Sequence, residues 1–157
     1  MSTLPEFQSF NVSVENHIAH VQLCRPDALN SMNQAFWLEL PQCMRAIEAQ
    51  TDARVIVISS TGKHFSAGAD LAWMRDCAAL DYNANLDDAR ELAQLMASLA
   101  QLKVPTLAVV QGAAFGGALG LISCCDMAIG AEDALFSLSE VRIGLLPAVI
   151  SPTMKAA

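Results

Sequence analysis

Two stretches of the chain place small residues between an apolar, β-like run and the start of a helix: Val55 to Leu71 and Thr106 to Leu121. The first runs through SSTGKHFSAGAD (59–70), the second through QGAAFGGALG (111–120). A helix start leaves backbone N–H groups without intrahelical partners and carries the positive end of the helix dipole. Gly and Ala at such a start let a ligand approach the backbone. One such start suits an anion. Two that converge suit a carbonyl oxygen that gains negative charge during a reaction. The same residues also fit a plainer role, in which small side chains only let helices pack closely. Gly112, Gly116, Gly117 and Gly120 do not have the G-x-G-x-x-G spacing, and neither a Walker loop nor a G-x-S-x-G elbow occurs.

The elements that must carry these loops follow from periodicity. Residues 10–24 predict two short strands joined by a turn at Glu15-Asn16. Arg25 to Asn30 is a loop. Ser31 with Gln34 forms a capping box that opens a helix with Phe36, Leu40, Met44 and Ile47 on one face, and Pro41 should bend or break it. Val55 to Ile58 is a β-branched run of the kind covered on both faces. Asp70 can cap a helix from Leu71. A polar connection, Asp81 to Asp88, leads into a helix that buries Leu92, Leu95, Met96 and Leu99 and ends by Lys103 and Pro105. Thr106 to Gln111 is a strand, and Met127 to Ile129 and Leu135 to Phe136 are two more. Strands alternating with helices predict an α/β protein with one domain over residues 1–157.

Composition narrows the function classes. The chain is 54% apolar and 16% charged, which is drier than an ordinary soluble domain. Such a chain either buries much of itself or turns apolar surface to a partner. Residues 104–125 are long enough to cross a bilayer, but Pro105, Thr106 and Gln111 and the split into a strand and a Gly-rich half speak against a span. The net charge is −7 and no Lys/Arg cluster occurs, which argues against nucleic acid as a partner. Cys24, Cys43, Cys77, Cys124 and Cys125 are odd in number and lack C-x-x-C or Cys/His spacing. They read as reduced thiols of a cytoplasmic protein, with no metal site among them. The N-terminus lacks a basic patch followed by an apolar run, so it does not read as a secretory signal.

GKHFSAGADL (62–71), QGAAFGGALGLISCCDMAIGAEDALFSLSEVRIGLLP (111–147) and CRPDALNSM (24–32) closely resemble the crotonase, or enoyl-CoA hydratase/isomerase, superfamily. The resemblance runs from about Asn11 to Pro147, with the motifs in family order and at family spacing. GADLAWM with GGALGLISCCDMAIGA looks most like methylglutaconyl-CoA hydratases of leucine breakdown, and is also similar to isohexenylglutaconyl-CoA hydratases of acyclic terpene breakdown. It implies a spiral of repeated ββα units. It also implies that the N–H groups of Ala69 and Gly117 form an oxyanion hole for a thioester carbonyl. Ala28, Ala67, Asp70 and Leu71 would line the coenzyme A groove, with the Ala67 carbonyl meeting the adenine, and Gly116 would help bring the backbone to the thioester oxygen. Glu140 falls on the second of the two glutamates of typical hydratases. The first would stand at position 120, where this chain has Gly120.

The reaction implied is hydration of a branched α,β-unsaturated acyl-CoA, with Glu140 as base and acid in turn. Coenzyme A is part of the substrate, and no separate cofactor is implied. A single glutamate also suits a double-bond isomerase, which takes a proton from C2 and returns it at C4. A glutaconyl tail would need a cation, for which Lys63, Arg75 and Arg142 are candidates. His64, beside the first loop, has no sequence partner that would make it catalytic. Family members continue past Pro147 through helices that complete the pocket and build a homotrimer or a dimer of trimers. The chain is therefore expected to be truncated before that helical region, with bare apolar faces. A third expectation, from a different class, is an inactive crotonase-like fragment that only packs against partners.

Overall fold

The computed structural model describes residues 4–156. A hairpin opens the fold. Strand β1 (Phe10–Glu15) pairs antiparallel with β2 (Ile18–Leu23), and Asn16 and His17 turn between them at φ 51° and 64°. Two consecutive positive φ values match the right-handed twist of the strands. From β2 onward the sheet is parallel: β2 pairs with β3 (Val55–Ser60), β3 with β4 (Thr106–Val110), and β4 with β6 (Met127–Gly130). The order is β1-β2-β3-β4-β6. A second, two-stranded parallel sheet joins β5 (Ala113–Phe115) to β7 (Leu135–Ser137).

Helices make the crossovers that parallel strands require. Helix α1 (Gln34–Gln50) links β2 to β3, and α2 (Leu71–Ala78) and α3 (Tyr82–Ala100) link β3 to β4. Helix α4 (Gly117–Ser123) leads to β6, and α5 (Ser151–Ala156) lies at the end of the described chain. One core forms where Ala19, Val21, Ile56, Ile58, Ala108 and Val110 of the sheet meet Phe36, Leu40, Met44 and Ile47 of α1. Leu95, Met96 and Leu99 of α3 and Leu121 of α4 close it. The α/β class is as the sequence predicts.

Several local expectations change. The cap of α1 is Asn33, whose side chain accepts from the Phe36 N–H at 3.1 Å, while the Ser31 hydroxyl is committed to Asp70. Pro41 neither ends nor splits α1, because Leu40, Cys43 and Met44 on either side are buried and hold the helix across the missing N–H. The 81–88 connection is helical: Asp81 accepts from the Ala84 N–H at 2.8 Å and starts α3 at Tyr82. Strand β3 is fully buried on one face and half-buried on the other, so its second face is only partly covered. The stretch that is long enough for a membrane span divides into β4, β5 and α4. Among the described residues no helix is long and apolar enough to cross a membrane. Met127, Ile129, Leu135, Phe136, Val141 and Leu146 are exposed, which is the bare apolar face that the composition leads one to expect.

Candidate active site

Three loops distant in sequence are tied into one structure, and Asn30 is the knot. Its side-chain amide donates to the carbonyls of Thr61 (2.7 Å) and His64 (3.0 Å), and its Oδ1 accepts from the Arg25 N–H (2.9 Å). Its own carbonyl accepts from the Ser66 hydroxyl at 2.8 Å. Leu29 and Asn30 both adopt φ 51°, a left-handed conformation that Asn tolerates far better than Leu. The 61–70 loop is bound on its other side to the Gly-rich stretch. The Ser66 N–H donates to the Ala113 carbonyl and the Phe115 N–H to the Ser66 carbonyl. The Ala113 N–H donates to His64 Nδ1 at 3.0 Å. His64 is thus a strap between two loops, which accounts for its place in the sequence.

Gly68 brings the first helix start against the second. It sits at φ 91°, and a methyl group there would stand 2.6 Å from the Phe115 carbonyl oxygen and 3.4 Å from the Gly117 nitrogen. The next residue, Ala69, forms a parallel bridge with Met32. The bonds of that bridge belong to its neighbours: Met32 N–H to the Gly68 carbonyl (2.8 Å) and Asp70 N–H to the Met32 carbonyl (3.0 Å). The N–H of Ala69 therefore points away from Met32 and has no acceptor among the described residues. Gly117 is the first residue of α4, and its N–H is likewise unpartnered there. A methyl group on Gly117 would lie 3.9 Å from the Ala69 nitrogen, so the two donors are close neighbours. Two adjacent unpaired N–H groups at helix starts can receive a single oxygen that carries negative charge.

Glu140 opens a 3-10 turn, Glu140–Ile143, just after β7. The Gly116 N–H donates to the Ser137 carbonyl at 2.9 Å and so ties this segment to the start of α4. The Glu140 carboxylate lies over Gly116: a methyl there would be 3.0 Å from Oε1. The Glu140 Oε2 is buried and has no hydrogen-bond partner. An unpaired buried carboxylate oxygen is costly, and an incoming hydrogen-bond donor relieves that cost. Glu140, Gly116, Gly117 and Ala69 therefore form one cluster.

The remaining expected residues fall around this cluster in different ways. Ala28 lies in a short 3-10 turn, Pro26–Ala28, and is half-buried. The Ala67 N–H donates to the Leu29 carbonyl at 3.0 Å, while its own carbonyl accepts nothing among the described residues. Leu71 begins α2 and is 61% exposed. Asp70 is occupied by the chain itself. Its Oδ1 accepts from the N–H groups of Ala72 (3.0 Å) and Trp73 (3.4 Å), and its Oδ2 from Ser31 Oγ (3.1 Å) and Arg25 Nη2 (3.2 Å). Burial pushes the Asp70 carboxyl up, but the bonds from Ser31, Arg25, Trp73 and Ala72 outweigh it and hold it below its ordinary value. Gly120 faces the interior. A methyl group there would lie 2.5 Å from Ile150 Cγ2 and 3.2 Å from Met96 Cε.

A cavity of about 420 Å³ adjoins the cluster between α1, α2 and α3, lined by Trp37, Arg45, Trp73, Asp88 and Leu92 among others. Trp37 stands between the two, with its Cη2 3.7 Å from a methyl placed on Gly117. A larger cleft of about 930 Å³, between Leu4–Phe7 and β1, contains none of the cluster residues. Sequence reading missed Asn30, Arg25 and Trp37. None of the three is marked by local pattern, since all act through contacts distant in sequence.

Comparison with known proteins places the chain in a family. The family profile described as "Enoyl-CoA hydratase/isomerase" matches residues 13–156. A crystal structure of an enoyl-CoA hydratase from Shewanella pealeana superposes with a TM-score of 0.93 at 43% identity, covering 97% of this chain and 57% of that one. The mitochondrial Delta(3,5)-Delta(2,4)-dienoyl-CoA isomerase of Mus musculus is 35% identical over 151 residues, covering 88% of this chain and 45% of its own length. The 2,3-dehydroadipyl-CoA hydratase of Escherichia coli is 35% identical over 136 residues, covering 87% and 51%. The chain thus spans about half the length of these relatives. With the profile matched along nearly its whole length, the chain belongs to the enoyl-CoA hydratase/isomerase family.

Proposed function

We propose that this protein acts on α,β-unsaturated acyl-CoA thioesters through an enolate. The observation that carries the reading is the pair of unpartnered N–H groups, Ala69 and Gly117, next to the buried, unpartnered carboxylate oxygen of Glu140. The two N–H groups receive the thioester oxygen as it becomes negative. One preorganised donor of this kind contributes on the order of 3 kcal/mol. In hydration, Glu140 takes a proton from water, the water oxygen bonds to C3, and the C2–C3 π pair moves into the enolate. Glu140 then returns the proton to C2 as the enolate collapses. The substrate we infer is a branched glutaconyl-type thioester, as the motif wording resembles the methylglutaconyl-CoA and isohexenylglutaconyl-CoA hydratases of leucine and acyclic terpene degradation. Its acyl end would enter the cavity beside Trp37, whose lining includes Arg45 as a candidate cation, while Lys63, Arg75 and Arg142 are not among the residues that line it.

The packing at Gly120 favours a second reading, a double-bond shift. Ile150 fills the space beside position 120, which leaves Glu140 as the carboxylate at the cluster. Starting from a β,γ-unsaturated thioester, one base can take a proton from C2 and return it at C4 as the double bond moves to C2–C3, with no water added. The mouse relative is by its name an isomerase and the Escherichia coli relative a hydratase, so both outcomes occur among proteins of similar identity. Mass spectrometry of products from branched enoyl-CoA thioesters, with the ultraviolet absorbance of the conjugated enoyl group followed alongside, decides. A gain of one water supports hydration, a moved double bond at constant mass supports isomerisation, and no reaction with any such thioester supports the fragment reading. The assembly we propose, for a chain that carries the helices following Pro147 in the family, is a homotrimer or a dimer of trimers; the exposed apolar residues of β6, β7 and the turn after them are the faces those helices would cover. The compartment we propose is the cytoplasm.

A further inference from the structure

We propose that Arg25 is a positioning residue that aims the Ala69 N–H through Asp70. The inference rests on the oxyanion role given above to Ala69. Ala69 makes no backbone bond through its own N–H, so the direction of that N–H is set by its neighbours. On one side, Gly68 is held by Met32 and by the Ser66 hydroxyl, which accepts from the Gly68 N–H at 3.1 Å. On the other, Asp70 is held by Met32 through its N–H and by four donors through its carboxylate.

Arg25 acts on both sides of this bridge. Its Nη2 donates to Asp70 Oδ2 at 3.2 Å, and its Nη1 donates to the Ser31 carbonyl at 2.7 Å, one residue before Met32. The guanidinium thus spans the strand-like segment that carries Met32 and the helix cap that follows Ala69. A planar fork can hold two acceptors in a fixed relation, which a lysine ammonium on a flexible stem does less well. Both side chains are largely withdrawn from solvent, with 27% exposure for Arg25 and 17% for Asp70. The pair is therefore better shielded from salt than a surface bridge. Asp70 has two bonds on each oxygen, which fills its acceptor capacity. A carboxylate so occupied is held in one place and fixes the loop around it.

The test compares wild type with Arg25→Ala, Arg25→Lys and Asp70→Asn in the 157-residue chain. Three readouts are taken: turnover, binding of free coenzyme A, and the infrared carbonyl stretch of a bound enoyl-CoA. A misaimed donor lowers kcat and kcat/KM together by on the order of 10²-fold. It also moves the bound carbonyl stretch back toward its value in water. Coenzyme A binding stays as in wild type, and Arg25→Lys recovers part of both losses. A merely structural role would lower the melting temperature and leave the stretch unmoved. A direct contact with substrate phosphates would weaken coenzyme A binding and spare kcat. Either result overturns the proposal. If wild type itself fails to shift the carbonyl stretch, the oxyanion reading falls. The amide resonance of Ala69 in ligand-free protein then still reports on Arg25: an unchanged Ala69 resonance in Arg25→Ala shows that Arg25 does not position it.

Discussion

Gly116 and Glu140 are fitted to each other. The backbone at residue 116 turns through φ 53°, and the space where a side chain would begin is taken by the Glu140 carboxylate, with Oε1 3.0 Å from that point. Gly116→Ala therefore meets two obstacles, a conformation that L residues avoid and a displaced carboxylate. We expect a stability loss of about 1–3 kcal/mol by urea denaturation together with a loss of turnover. A variant with wild-type stability and turnover would show that the Glu140 side chain moves aside freely and that the close fit has no functional content.

Removing the proton-carrying group without changing its shape separates chemistry from binding. Glu140→Gln should lower single-turnover rates by roughly 10²- to 10⁴-fold, the range for loss of a general acid–base group. Thioester binding measured by calorimetry should stay within about twofold, because the amide fills the same space. Comparable rates in wild type and variant would remove Glu140 from the chemistry.

Gly120 and Ile150 form a complementary pair in the interior. Gly120→Ala drives a methyl group against Ile150 Cγ2 and Met96 Cε, and overpacking of this kind costs about 1–3 kcal/mol. Ile150→Ala alone removes a buried side chain at a cost of about 2–5 kcal/mol. In the double variant the new methyl occupies part of the vacated space, so the losses should fall short of additivity by at least 0.5 kcal/mol. Strict additivity in denaturant titrations would show that the two positions relax independently.

Acid sensitivity should concentrate at two carboxylates. Asp126 accepts from the Thr106 N–H (2.7 Å) and hydroxyl (2.8 Å), and its own N–H donates to Thr106 Oγ1 at 2.9 Å. These bonds outweigh burial and hold its carboxyl below the usual value, as the hydrogen bonds to Asp70 do there. A depressed folded-state value gives stability that is complete above the ordinary carboxylate value of ~4 and is lost as pH falls through the depressed one. Melting temperature should therefore be flat near neutrality and drop below about pH 4. Asp126→Asn should make that drop shallower, since the amide keeps an acceptor without titrating. An acid limb of unchanged steepness would assign it to other groups.

The sheet and most helices are legible from pattern alone. Alternation marks β1 and β2, the β-branched run marks β3, and the stripe of Phe36, Leu40, Met44 and Ile47 marks α1. Boundaries depend on partners that local pattern does not reveal. Ser31 looks like a cap, yet its hydroxyl is drawn to Asp70, which leaves Asn33 to cap α1. Pro41 looks like a break, yet buried neighbours on both sides outweigh one lost hydrogen bond. The site was legible as two small-residue helix starts. Their convergence was not, because it depends on Gly68 packing against the Phe115 carbonyl and on Asn30 joining loops far apart in the chain. Asp70 shows what position in the sequence does not reveal: four bonds from Ala72, Trp73, Ser31 and Arg25 fix its carboxylate within the loop.

The Asn30 knot has a kinetic consequence. Its bonds to Thr61 and His64 span 31 and 34 residues, and the strap from His64 to Ala113 spans 49. Each closes a long loop whose entropy must be lost before any of these contacts repays it. The β1–β2 hairpin and α3 are held by local bonds and can form beforehand. In pulse-labelled refolding, amide protection at Ser66 and Ala113 should therefore appear after protection in the hairpin. The pair of donors at Ala69 and Gly117 would then be among the last features the chain assembles, coming into register only when all three loops have met.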